Sequence, residues 1–287
     1  MNPSTPLRMT KLYISCDMEG TAGVCSWNQC DPANAHEYPV YRRFMTQEVR
    51  AAIAGARDGG ARRIVVNDSH WSMHNLLWDE LPGDEELTVI SGAPKPQSMG
   101  QGLDASFDAV FLTGYHAKGG DAATLSHTMS NTVVYSVSIN GTACSEALVF
   151  AALAGSFGVP VTLVTGDTTI VEEVTRFMPW AVGVAVKESI AYYAVNSLTP
   201  AAAQQAIAAG AREAVARIER AKPFTFEAPY ELVLETVGVE HADFIDLMPH
   251  FDRIGGRAVR FRANDYRVLV DAFIVATRLG AAATPVA

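Results

Sequence analysis

Four short apolar runs in the first 115 residues dominate the hydrophobic pattern of the chain. Each run is rich in β-branched or aromatic side chains and is followed by polar residues, which is typical of buried strands in a parallel sheet. The runs are residues 12–16, 63–67, 87–90 and 109–113. Between the first two, residues 41–56 carry apolar side chains at helical spacing and end near two glycines, so we expect a helix there. The order of strand, helix and strand predicts an α/β fold with a mostly parallel sheet flanked by helices.

The middle of the chain continues this alternation after one interruption. Residues 133–139 alternate in polarity and meet Asn140 and Gly141, a pair that favours a tight hairpin and therefore an antiparallel excursion. Beyond the hairpin we expect helices at 145–154, 168–177 and 200–219 and strands at 159–164 and 182–187.

The last quarter of the chain predicts a smaller C-terminal α+β part. Its pattern indicates strands at 231–235 and 258–262 and helices at 242–247 and 266–279. The turn-rich residues 223–229 separate it from the preceding helix. We therefore expect an α/β metal-binding catalytic domain at 1–222 and a C-terminal lobe at 223–287, or a single domain that includes this lobe.

Composition and charge narrow the class of partner. The chain of 287 residues is 49% hydrophobic and has a net charge of -9, which argues against a nucleic-acid partner and favours a small molecule or peptide. Residues 1–8 lack an apolar targeting core and no stretch is long enough to span a bilayer, so no membrane association and a cytoplasmic location are expected. The four cysteines lack zinc-ribbon spacing, and we expect reduced, structural thiols.

Residues capable of metal binding follow three of the predicted strands. Asp17 and Glu19 follow the first, Asp68 and His70 the second, and His116 the fourth. Carboxyl ends of parallel strands share one edge of a sheet, where ligands bind in open α/β folds. Imidazole with carboxylate suits a catalytic zinc ion, and manganese or iron would also fit. The alternative for each residue alone is a turn, a cap or an ordinary polar position at a strand end.

The number of carboxylates favours two metal ions over one. Glu146, at the start of a predicted helix, adds a third negative charge to Asp17 and Glu19, and two divalent cations neutralise three carboxylates better than one does. A carboxylate that bridges the ions is a common arrangement, and Asp17 at the strand tip is the candidate bridge. The helix dipole offers another explanation for Glu146.

Four short motifs occur in the order and spacing of a known family. They are residues 15–20 (SCDMEG), 66–70 (VNDSH), 114–117 (GYHA) and 126–129 (SHTM). The chain from about Lys11 to its C-terminal helix resembles the zinc-dependent D-aminopeptidases known from a bacterial dipeptide-transport operon. The resemblance implies hydrolysis of short peptides with N-terminal D-amino acids and assembly into ring-like homodecamers. It also implies two zinc ions per subunit bound by Asp17, Glu19, His70, His116 and Glu146, with Asp17 bridging, and an essential histidine near the metals that is not a ligand, His127.

The sequence departs from the family pattern around Glu146. The family usually has Gly-Glu-x-Gly-x-Asn, whereas residues 145–150 read SEALVF. If these bulkier residues line the substrate cleft, the preferred peptide would differ from a D-alanyl substrate.

The expected mechanism is peptide hydrolysis by a metal-activated water. His127 could act as an acid, an oxyanion donor or a direct nucleophile. One alternative is another dinuclear hydrolase, an amidase or a phosphoesterase. A phosphoesterase would need a cationic clamp, for which Lys118 is the nearest candidate. The other alternative is a non-catalytic binding protein whose metal ions only stabilise its loops.

Overall fold

The computed structural model describes residues 10–283. The targeting-segment prediction for residues 1–8 lies outside this range. The strands are β1 (Thr10–Cys16), β2 (Ala61–Asp68), β3 (Leu87–Ile90), β4 (Ala109–Tyr115), β5 (Val134–Ile139), β6 (Thr142–Ala143), β7 (Val161–Asp167), β8 (Val182–Ala191), β9 (Ala194–Ser197), β10 (Tyr230–Thr236), β11 (Phe251–Arg253) and β12 (Ala258–Ala263). The α-helices are α1 (Trp27–Cys30), α2 (Tyr38–Asp58), α3 (Glu146–Ser156), α4 (Thr168–Phe177), α5 (Pro200–Ala216), α6 (Val239–Ile245) and α7 (Tyr266–Ala281).

The larger sheet has seven strands in the order β3-β2-β1-β4-β7-β8-β9. All neighbours pair in parallel except β8 and β9, which form an antiparallel hairpin. The chain moves outward from β1 through β2 to β3 and then returns to place β4 on the other side of β1. This reversal of direction makes the carboxyl ends of β1 and β4 the point where such folds bind ligands. The predicted α/β class with a mostly parallel sheet is confirmed.

The second sheet has five antiparallel strands in the order β11-β12-β10-β5-β6. The predicted turn at Asn140 and Gly141 joins β5 to β6, and β10 from the C-terminal part pairs along β5. The sheet therefore combines residues from both sides of the proposed boundary at 223. Whether 1–222 and 223–287 are separate folding units stays a prediction.

Two apolar cores lie on opposite faces of the larger sheet. Successive side chains of a strand point to opposite faces, and in β1 this sends Leu12, Ile14 and Cys16 to one core and Tyr13 to the other. The helices α2 and α5 cover the first face. The second face packs against α3, α4, α7 and the antiparallel sheet. Burial on both faces explains why the strands read as continuous apolar runs.

Some short elements differ from the sequence prediction. The strand expected at 159–164 occupies Val161–Asp167, because Pro160 has no N–H for the ladder and the polar residues Thr165 and Asp167 continue it. The strands β9 and β11 and the one-turn helix α1 were not predicted. These elements are three or four residues long, too short for a periodic signal. Among residues 10–283, no helix has the length and apolar character needed to span a membrane.

Candidate metal centre

Backbone contacts at the ends of β1, β2 and β4 bring three loops together. Asp17 N–H donates to Thr113 O at 2.8 Å, and Ser69 N–H donates to Cys16 O at 2.8 Å. A Cβ on Gly114, whose φ is +70°, would lie 2.1 Å from Asp17 O, and a Cβ on Gly20 would lie 1.8 Å from Tyr115 O. Both positions require glycine because the two backbone segments approach each other too closely to leave room for a side chain.

These loops and the start of α3 place all six predicted site residues in one cluster. Five side chains are buried, and the sixth, His127, is 11% exposed. The members are Asp17, Glu19, His70, His116, His127 and Glu146. The structure therefore brings together all six residues that the sequence predicted, and their division into metal ligands and a catalytic histidine stays a prediction.

Each histidine of the cluster makes one hydrogen bond to a backbone carbonyl. His70 Nε2 lies 2.8 Å from Cys30 O, His116 Nδ1 lies 3.0 Å from Ala117 O, and the third pair is His127 Nδ1 with Leu125 O at 2.9 Å. A carbonyl only accepts hydrogen bonds, so each of these nitrogens is the protonated one. In a neutral ring the other nitrogen then carries a lone pair, and in all three histidines that nitrogen faces the carboxylates.

The Asp17 carboxylate lies between two of these histidines. Its Oδ1 is 3.2 Å from His70 Nδ1, and its Oδ2 is 3.3 Å from His116 Nε2. Glu19 Oε2 is 3.0 Å from the same nitrogen of His70, and Glu146 Oε1 is 3.6 Å from that of His116. Ligands about 2.0–2.1 Å from a tetrahedral zinc ion lie about 3.3 Å from each other. The distances from the two histidine nitrogens to the carboxylate oxygens are thus close to this spacing, and Asp17 takes part in both groups.

Unpartnered buried atoms in the cluster point to bound cations. Asp17 Oδ2, Glu19 Oε2 and His116 Nε2 have no hydrogen-bond partner among the described residues. Buried polar atoms usually have partners, because an unpaired one costs on the order of 1–3 kcal/mol. Carboxylate oxygens facing imidazole lone pairs also repel each other unless a proton or metal ion separates them. The donor set therefore fits two divalent ions.

Two carboxylates and two histidines of the cluster favour their charged forms although they are buried. Burial alone would raise the pKa of Asp17 and Glu19, but the neighbouring histidines outweigh it and lower the pKa of both. Burial would lower the pKa of His70 and His116, but the carboxylates raise both, that of His116 to about 10. In the protein alone, protons on these histidine nitrogens neutralise Asp17 and Glu19, whereas burial raises the pKa of Glu146 to about 7. A metal ion would replace those protons at the same atoms.

His127 makes longer contacts than the other two histidines, although its ring also lies within reach of a metal ion that His116 and Glu146 could hold. Its Nε2 is 4.0 Å from Glu19 Oε1 and 3.9 Å from Glu146 Oε1, longer than the contacts of His70 and His116. Its ring stacks on His116 at 4.2 Å and meets the Trp27 ring edge-on at 5.1 Å. Burial and the positive charge of His116 lower the pKa of His127 to about 4. A neutral His127 thus presents a proton-accepting nitrogen to the cluster.

Several residues that support the cluster were not predicted from sequence. Lys187 of β8 is buried and donates to the carbonyls of Glu19, Thr21 and Val24, the last at 2.7 Å. Cys30 supplies the carbonyl that fixes His70, and its thiol also lies near Glu19 and His70. Burial raises the pKa of this thiol well above its usual value, which disfavours the thiolate that binds metals. No local motif marks these residues, because their contacts join distant segments.

The four residues that follow Glu146, in the segment where the chain departs from the family pattern, do not line the cleft. Ala147, Leu148, Val149 and Phe150 are buried in the apolar core between α3 and its neighbours. Only Glu146 of this segment lines the cavity at the metal centre. The expectation that these residues alter substrate preference depended on their lining the cleft, and the structure gives no contact through which they would do so.

Lys118 does not clamp a ligand at the centre. Its ammonium pairs with Asp121 at 2.8 Å and with Glu173 at 3.3 Å, in a separate polar depression. The cationic group that a phosphoesterase would place beside the metal ions is thus absent from the position where the sequence suggested it.

A cavity of about 570 Å³ opens onto the cluster. Its walls are mostly apolar, with Trp27, Trp71, Met73 and Met129 among the large side chains. The size and character match sites for small organic ligands, in which a few polar groups set the orientation. The cluster therefore sits at the wall of a space suited to a short peptide.

Comparisons of the whole chain with known proteins all point to one family. The model of the D-aminopeptidase family of peptidases matches residues 10–275. A D-aminopeptidase from Bacillus subtilis (strain 168) is 34% identical over 270 residues, which cover 94% of this chain and 97% of that protein. The chain also resembles the solved structure of the Zn-dependent D-aminopeptidase DppA from Bacillus subtilis, a self-compartmentalizing protease. That match has a TM-score of 0.90 and 33% identity, and it covers 95% of this chain and 98% of the other.

Proposed function

Because the chain belongs to the D-aminopeptidase family, we propose that this peptidase is a dinuclear zinc enzyme that removes N-terminal D-amino acids from short peptides. The observation that carries the proposal is the pair of atom groups around His70 and His116, joined by the two oxygens of Asp17. An amidase acting on a related bond would use the same centre.

The proposed ligands divide between two ions. His70, Glu19 and Asp17 would hold the first ion, and His116, Glu146 and the same Asp17 would hold the second. Two zinc ions in these positions would supply an activated water at neutral pH and polarise the scissile carbonyl. Backbone carbonyls hold the rings of His70 and His116 in the tautomer that this assignment needs.

The proposed catalytic residue is His127. The hydrogen bond from Nδ1–H to Leu125 O leaves Nε2 as a proton acceptor that faces the cluster and the cavity. We assign to Nε2 the proton released by the nucleophile, which it then passes to the leaving amino group. The aromatic contact with Trp27 and the stack on His116 restrict rotation of the ring.

The proposal also covers the oligomeric state of the protein and its cellular location. The self-compartmentalizing relative suggests a homo-oligomer, and the family resemblance suggests a decamer. The four cysteines are unpaired, which suits a reducing compartment and supports the proposed cytoplasmic location.

Metal analysis combined with a substrate screen tests the proposed function. The purified protein should contain two zinc ions per subunit and release D-alanine from D-alanine p-nitroanilide. Chelation should abolish release and added zinc should restore it, while the L-alanine p-nitroanilide should react far more slowly. Hydrolysis that persists after complete removal of metal, or a preference for the L-substrate, would contradict the proposal.

A further inference from the structure

Among the described residues that line the cavity at the metal centre, Lys95 and Arg278 are the lysine and arginine side chains, and of these two Arg278 is free to bind a ligand. Lys95 is buried, and its ammonium donates to Asn67 Oδ1 and to the Asp68 carbonyl. Burial also lowers the pKa of Lys95 to about 8. Arg278 is exposed and makes no ion pair or hydrogen bond within the part of the chain that the structure describes.

The position of Arg278 follows from the face that α7 presents to the cavity. Ile274, Val275, Thr277, Arg278 and Ala281 line the cavity, and their spacing places them along one side of the helix. The opposite side of α7 is anchored in the core through Leu269 and Phe273, both fully buried. Arg278 is thus a guanidinium on a fixed helix at the edge of an apolar wall.

A short peptide carries a positive charge on its N-terminal amino group and a negative charge on its free C-terminal carboxylate, and both enter this cavity. The two zinc ions of the proposed centre would offset the three carboxylates of the cluster and would act at the scissile bond, so the carboxylate at the far end of the peptide needs a cation of its own. Guanidinium matches carboxylate in a bidentate pair, whose charge-assisted bonds are stronger than neutral ones. We propose that Arg278 binds the C-terminal carboxylate of the substrate, so that the enzyme selects short peptides with a free C-terminus. This inference rests on the proposed function.

Paired substrates separate carboxylate recognition from a structural role of Arg278. We expect the unaltered zinc enzyme to cleave D-alanylglycine about 10- to 100-fold more efficiently in kcat/KM than D-alanylglycinamide, which lacks the negative charge. In Arg278→Gln this ratio should fall close to one, because the efficiency with the acid falls. Arg278→Lys should recover part of the ratio, since a point charge replaces the planar fork.

The matched control is Arg267→Gln on the same helix. Arg267 pairs with Asp265 at 2.7 Å, outside the cavity, so the ratio should stay at its original value. Arg278 lies in the last turn of α7 and also interacts with the helix dipole. A role confined to that interaction would lower the efficiency with acid and amide equally and would overturn the proposal.

Binding gives a readout that does not depend on turnover. In the His127→Ala background, calorimetry should show D-alanylglycine binding about 10- to 100-fold more weakly after Arg278→Gln, with little change for the amide. Equal affinities with and without Arg278 would refute the proposal. Cleavage of both substrates with an unchanged ratio would refute only the role of Arg278, whereas no cleavage of either by the unaltered zinc enzyme would refute the proposed function and this inference with it.

Discussion

The edge of the parallel sheet and the antiparallel sheet use charged side chains in opposite ways. At the carboxyl ends of β1 and β4, carboxylates and imidazoles are buried together and some of their atoms lack partners. In the antiparallel sheet, Arg257, Arg260 and Arg262 form ion pairs with neighbouring acids at 2.6–3.1 Å, all partly exposed to solvent. The charges of the first region are thus balanced only when protons or bound cations lie between its side chains, and those of the second are balanced by ion pairs among its own residues.

The two regions contribute differently to function: one carries the reactive groups, and the other shapes the cleft. The parallel sheet supplies the reactive groups because its strand ends converge at one edge. The part built around the antiparallel sheet supplies α7, whose side forms a wall of the cavity. Substitutions of the proposed ligands in the first region should therefore change metal content, while substitutions in the second region should change substrate choice or stability.

The largest effect is expected from Asp17→Asn. The amide removes the charge shared by both groups of ligand atoms, so zinc should be lost from both positions and activity should fall to background. Zinc content by mass spectrometry and D-alanine release measure the two effects. Circular dichroism should show an intact fold, and a variant that keeps both zinc ions would exclude Asp17 as the bridge.

A smaller loss, without loss of metal, is expected from His127→Ala. Removal of a general acid–base group should lower kcat about 10²- to 10⁴-fold, while zinc content stays at two per subunit. His74→Ala is the control, since His74 is exposed and lies outside the cluster. Unchanged turnover in His127→Ala would remove this residue from the mechanism, and loss of zinc would make it a ligand.

Lys187→Met should weaken metal binding without touching a ligand side chain. Three carbonyls of residues 19–24 would lose their donor, so the loop that carries Glu19 would be held less firmly. Substitutions of such supporting groups cost about 10- to 100-fold in metal affinity. Competition with a zinc chelator measures this change, with the exposed Glu188→Gln on the same strand as control. Equal affinities in the two variants would contradict a positioning role for Lys187.

The smallest effect is expected in the antiparallel sheet. Arg262→Gln removes a pair with Glu231 in which both side chains are partly exposed, so the free energy of unfolding should fall by no more than about 1 kcal/mol. Zinc content and kcat should not change. A loss of zinc in this variant would show that the antiparallel sheet influences metal binding, which contradicts the independence of the two regions.

The sequence predicted the parallel sheet and the cluster for the same reason. The strands β1 and β4 are buried on both faces, and each is followed directly by a residue of the cluster, Asp17 after β1 and His116 after β4. Contacts between distant segments leave no such pattern. Lys187 reads as a polar residue in a strand and Arg278 as a basic residue at a helix end, and only the fold shows what they face.

Anomalous diffraction at the zinc edge from crystals of the zinc-loaded protein tests the two-metal centre most directly. We predict two peaks about 3.5–4 Å apart, one beside His70 Nδ1 and the other beside His116 Nε2, with an oxygen of Asp17 directed at each. A single peak, or two peaks that share no carboxylate from Asp17, would contradict the account.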